Sequence, residues 1–124
     1  MQNLDISDNV IVSLDKTSLR DLGVISFVQL NASRNYISDI DEEAFLGQSN
    51  LQTVDFSSNR LRNIEAKIFI RNPSLEILSL SSKQYLRLPE EGPFLYSQSL
   101  RVLKLSDCNF YHLPPETFQK LPNL

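Results

Sequence analysis

The chain has 124 residues, with 12 Lys and Arg against 15 Asp and Glu, a formal net charge of −3, one His and one Cys. That length fits one ordinary domain, and the acidic balance supplies no concentrated basic surface, so nucleic acid is not an expected partner. No apolar run approaches the roughly 18 to 20 residues that cross a bilayer, the start Met1-Gln2-Asn3-Leu4-Asp5 has neither region of a signal peptide, and a single cysteine makes no internal disulfide.

Along the chain one pattern recurs. The first copy opens Met1-Gln-Asn-Leu4-Asp-Ile6-Ser-Asp-Asn9 and continues to Ile11, Leu14 and Leu19; Gly23 to Ser26 lengthen it. The second opens Phe27-Val-Gln-Leu30-Asn-Ala32-Ser-Arg-Asn35 and continues to Ile37, Ile40 and Phe45. The third runs from Leu51 through Val54, Phe56, Asn59, Leu61, Ile64 and Phe69, and the fourth from Leu75 through Leu78, Leu80, Lys83, Tyr85, Leu88 and Phe94. The fifth runs from Leu100 through Leu103, Leu105, Cys108, Phe110, Leu113 and Phe118. The resulting boundaries are 1–26, 27–50, 51–74, 75–99 and 100–123, with Leu124 opening a sixth copy. Neither end looks capped, so the chain reads as part of a longer array whose exposed ends are expected to self-associate.

Within each copy, positions 3 to 7 alternate between apolar and polar residues, the period of a half-buried strand. Stacking the copies in register predicts a parallel sheet with positions 1, 4, 6, 11, 14 and the late aromatic pointing into one core. The outer halves, such as Ile40-Asp-Glu-Glu-Ala-Phe45, have no helical period and predict loops with 3₁₀ or short helical turns. The extra residues of the first and fourth copies, the latter near Pro89, Gly92 and Pro93, are expected on that outer side.

The form L-x-x-L-x-L-x-x-N/C-x-L resembles the leucine-rich repeat family over essentially the whole chain. The resemblance implies an α/β solenoid, with a curved parallel sheet on the concave face and loops or short turns on the convex face. Copies of about 24 residues with a late phenylalanine look like the subclass found in extracellular animal receptors and adhesion proteins.

Asn9, Asn35 and Asn59 close their strands, and an amide with two donors and an acceptor suits the backbone groups of adjacent coils. Cys108 takes the same place, where the family pattern accepts Cys, and reads as a buried structural thiol. Lys83 interrupts this ladder, and His112 reads as a surface residue. Ser7, Ser33, Ser57, Ser81 and Ser106 all occupy position 7 and read as a ladder of small residues. With only three glycines, no phosphate loop and no paired His/Cys set, neither catalysis, a metal nor a cofactor is expected. Asp8 with Arg34, and Glu76 with Arg101, are candidate ion pairs between equal positions.

Asn31-Ala32-Ser33 is the one permitted glycosylation sequon, since proline blocks Asn72-Pro73-Ser74. At positions 3, 5 and 7 the side chains are expected to face the concave surface. There Ile77 and Val102 form an apolar centre, with Thr53, Asp55, Ser79 and Lys104 around it, which fits a protein ligand or co-receptor. The expected function is non-enzymatic protein recognition in the ectodomain of a receptor or adhesion protein, or in a secreted protein. The alternative is an intracellular scaffold or regulator of an enzyme complex.

Overall fold

A computed structural model describes residues 2–21, 26–82, 85–110 and 112–124. Five three-residue strands, β1 (Asn3–Asp5), β3 (Gln29–Asn31), β5 (Thr53–Asp55), β6 (Ile77–Ser79) and β7 (Val102–Lys104), make one sheet in the order β1-β3-β5-β6-β7. Every pairing is parallel, and Leu4, Leu30, Val54, Leu78 and Leu103 lie opposite one another without slip. A one-residue shift would turn these inward side chains to the solvent face, so the core itself fixes the register.

The ladder outlasts the strands. Ile6, Ala32, Phe56 and Leu80 donate their N–H groups to Asn31, Asp55, Ser79 and Lys104 of the next coil at 2.8 to 2.9 Å. Asp8, Arg34, Ser58 and Ser82 repeat the bond two residues later. Together with Asp107 these four residues adopt φ of 55° to 66°, a left-handed conformation that costs a non-glycine residue about 1 to 2 kcal/mol. The bend it makes turns each coil off the sheet, and the network at position 9 holds it there.

The chain then crosses an ascending flank, where β2 (Ser13–Leu14) and β4 (Asp39–Ile40) pair in parallel as a second, small sheet. On the convex side α1 (Ser18–Asp21) is a single turn of helix. In later coils, N–H groups on alternate residues donate to the carbonyl three residues back. Ala44, Leu46 and Gln48 do so, as do Ile68, Ile70 and Asn72, and Thr117, Gln119 and Leu121. This succession of tight turns matches the expected 3₁₀-like convex side.

Between sheet and turns runs one continuous core. Leu51, Leu75 and Leu100 start their coils fully buried; Val54, Leu78, Phe56 and Leu80 line the strand side. Phe45 packs against Phe56 and Phe69 with ring centroids 6.0 and 5.2 Å apart. Each such side chain contributes roughly 1.5 to 3 kcal/mol before entropy is subtracted. Leu4, Ile6, Leu103 and Leu105 are only partly buried, because their coils are covered on one side alone.

Four expectations are corrected. Tyr85 is 61% exposed and Leu86 takes the buried position instead. The hydrogen bonds give the reason. Arg60 N–H reaches Ile37 O and Tyr85 N–H reaches Leu61 O, so Tyr85 stands where Arg60 stands one coil earlier. Two residues separate Ser82 from Tyr85 where Asn59 alone separates Ser58 from Arg60. The extra residue of the fourth copy thus precedes the ascending flank and does not belong to the convex turns, which also accounts for Phe94 coming one place late. In the fifth copy Leu113 is exposed while Pro114 is buried, since no further described coil covers it. Glu76 and Arg101 meet through backbone, Arg101 N–H donating to Glu76 O at 2.9 Å, and make no side-chain ion pair. Met1, Lys83 and residues 23–25 of the first copy's lengthening lie outside the described residues.

Candidate functional site

On the concave face the strand register assembles Thr53, Ile77 and Val102 in one row and Asp55, Ser79 and Lys104 in the next. Rows formed this way place neighbours about 4.8 Å apart. Thr53, Asp55, Ile77 and Ser79 are half-buried, Lys104 is exposed and Val102 is 41% exposed. Two apolar β-branched side chains, Ile77 on β6 and Val102 on the last strand β7, therefore stand side by side, with a carboxylate two strands from an ammonium in the adjoining row.

Short side-chain turns hold the polar members in place. Asp5, Asn31 and Asp55 each accept, through Oδ1, the N–H of the serine two residues on, at 2.9, 3.1 and 2.8 Å. Such Asx turns close the strand end without help from a partner strand. The Ser7 hydroxyl and N–H hold the Asp5 carboxyl below its ordinary value. The Ser57 and Ser79 hydroxyls hydrogen-bond to each other at 2.7 Å, either one able to donate, and Ser106 Oγ donates to Ser81 Oγ at 2.9 Å, so these serines link adjacent coils. Ser33 departs from the expected outward position: it is buried, with its hydroxyl on Asn31 Oδ1 at 2.6 Å. The sequon at Asn31 is accordingly folded into a turn, with the asparagine half-buried.

Behind the sheet's edge lies the amide network. Asn35 Nδ2 donates to Ile6 O of the preceding coil and to Ala32 and Ser33 O of its own, while its Oδ1 accepts Asn9 and Ile11 N–H. Asn59 repeats this, donating to Ala32, Phe56 and Ser57 O and accepting Ile37 N–H. The side-chain amide of Asn9, exposed in the first coil, donates only within that coil, to Ile6 and Ser7 O. Cys108 Sγ donates to Leu80 O at 3.3 Å and Ser106 O at 3.7 Å. The thiol thus reaches the same two kinds of carbonyl as an asparagine. Burial pushes its pKa up, which keeps it neutral and weakly nucleophilic.

Among the described residues, no three His, Cys, Asp or Glu side chains gather as metal ligands. His112 is exposed. No described helix is long and apolar enough to cross a membrane.

One surface escapes the sequence reading. On the ascending flank, Tyr36, Arg60 and Tyr85 follow one another in consecutive coils, joined by their backbone bonds to Ile11, Ile37 and Leu61. Arg62 and Arg87 form a parallel column, with Arg87 N–H on Arg62 O at 2.8 Å. Copy-by-copy comparison of positions 10 and 12 holds the signal for this flank. The extra residue before Tyr85 conceals it, because straight counting assigns that tyrosine to the core.

The leucine-rich repeat family models match residues 28–84 and residues 99–121. The chain is also similar to Chaoptin of Drosophila melanogaster, with 29% identity over 92 residues. That alignment covers 73% of this chain and 7% of Chaoptin, so the chain spans a small part of its relative's length.

Proposed function

The chain belongs to the leucine-rich repeat family, and from that premise we propose that it recognises a protein ligand or co-receptor through its concave face, without catalysis. The family's repeats generally serve protein interaction, and Thr53, Asp55, Ile77, Ser79, Val102 and Lys104 are the residues proposed to carry it. The supporting observation is the pairing of Ile77 with Val102 in register. Two apolar side chains on a rigid sheet can be desolvated at little entropic cost, while Asp55 and Lys104 orient a partner at the edge.

The proposed setting is the cell surface or extracellular space, as part of a receptor, adhesion protein or secreted protein. The copies of about 24 residues and the similarity to Chaoptin support this reading. The alternative remains an intracellular scaffold. Expressing the natural full-length protein with a tag separates the two: surface labelling and a glycosidase-sensitive mass at Asn31 are expected, whereas a wholly cytosolic product rejects the extracellular reading. Replacing Ile77 and Val102 with Asp should weaken ligand binding at least tenfold while leaving the circular dichroism unchanged. Unaltered affinity would remove the concave face from the proposal.

A further inference from the structure

We propose that the ascending flank is a second docking surface, a groove for an extended acidic peptide with apolar or aromatic side chains. It lies apart from the concave face and is built by Tyr36, Arg60, Tyr85, Arg62 and Arg87.

The groove is continuous. Three adjoining depressions on this flank share Tyr85; the first, of about 690 Å³, joins the second through Tyr36 and Arg60 and the third through Arg62. Together they run from the first coil at Asn9 to the fifth at Asn109. Four steps of about 4.8 Å make roughly 19 Å, the length of about six residues of extended chain.

Its lining is unusual for this molecule. Val12, Tyr36 and Tyr85 are 59%, 44% and 61% exposed, large partly apolar side chains of the first, second and fourth coils. Aligned exposed side chains of this kind mark interaction surfaces more often than scattered ones do.

Charge selects the occupant. On a chain of net charge −3, the lining carries Arg34, Arg60, Arg62 and Arg87 against Asp39 and Asp107. Arg34 is neutralised by Asp8 through two hydrogen bonds of 2.7 and 2.9 Å. Arg60 instead sits 4.6 Å over the Tyr36 ring, a contact that positions the guanidinium without cancelling its charge. Among the described residues neither Arg62 nor Arg87 forms an ion pair. Guanidinium groups bind carboxylates through paired N–H donors. The interleaved tyrosines supply the apolar contact that favours a peptide over a plain polyanion.

Panning a fully randomised decapeptide display library against the whole chain tests this directly. Recovered peptides should carry an excess of Asp and Glu next to Tyr, Phe or Leu. Arg60→Glu, Arg62→Glu and Arg87→Glu together should reduce their binding at least tenfold and turn the selection toward Lys and Arg. Tyr85→Ala, at an exposed position, should weaken binding severalfold without altering the circular dichroism. The Ile77→Asp, Val102→Asp variant should retain it, which separates this groove from the concave face. Peptides without an acidic excess, the same peptides on the charge-reversed chain, or their loss in the concave variant would each overturn the proposal. So would binding of a heparin tetrasaccharide at this flank with no peptide enrichment.

Discussion

The third and fourth coils follow the same path along the sheet and part at one point on the ascending flank. From Leu51 to Ser58 and from Leu75 to Ser82 the strand register, the buried side chains and the left-handed bend coincide. One additional residue then precedes Tyr85, and within two residues Leu86 has recovered the place of Leu61 in the core. The difference teaches where this solenoid is strict. A parallel strand exchanges backbone bonds with both neighbours, so an insertion there would cost bonds on two sides; placed between Ser82 and Tyr85 it leaves the strand ladder intact, and the bonds to the third coil resume at Tyr85.

The largest effect should come from the strict side. Leu78→Ala opens a cavity at a fully buried position and should cost about 2 to 5 kcal/mol, read as a fall in the denaturation midpoint. A loss below about 1 kcal/mol, too small for a fully buried leucine, would mean that the strands are not packed as described.

Next in size is the test of the slip itself. Leu86→Ala should cost at least about 2 kcal/mol, while Tyr85→Ala stays within about 0.5 kcal/mol, as exposed substitutions do. Equal or reversed costs would restore Tyr85 to the core and erase the contrast between the coils.

A smaller, shared effect belongs to the bend that both coils retain. Glycine at Ser58 or Ser82 relieves the strain of φ 57° and 66°, opposed by the greater freedom of the unfolded chain. Stability should rise by up to about 1 kcal/mol at each. Opposite signs at the two sites would show that the extra residue already disturbs the bend.

Acid provides the gentlest probe. Asp8 is held below its ordinary value by the hydrogen bond from Arg34, so its contribution is present above the unfolded value of about 3.9 and is lost as pH falls through the lowered one. Both partners are well exposed, which keeps the effect small. Thermal midpoints of the parent and of Asp8→Asn should differ slightly at neutral pH and converge in acid. A difference that grows in acid would assign the shift to another group.

Most of the fold is legible in the copies because burial and strand period write themselves into residue type. Leu4, Leu30, Val54, Leu78 and Leu103 announce the sheet, and Asn35 and Asn59 the backbone groups behind it. Tyr85 misleads for the same reason: an aromatic residue at a counted core position satisfies the pattern, and only its backbone bond to Leu61 reveals the offset. Leu113 fails differently, since its exposure depends on what stacks beyond it. At the concave face, register places the six candidate residues in two rows, but the turns that pin Asp55 and the hydroxyl pair of Ser57 and Ser79 are matters of rotamer. Composition along a strand carries no record of them.

Cys108 lends the last coil a clock. Its thiol is buried against Leu80 O and kept protonated by that burial, so an alkylating reagent reaches it only when the fifth coil peels from the fourth. The rate of modification in native buffer then counts those openings one by one, and its dependence on denaturant reports how much of the array lifts away each time.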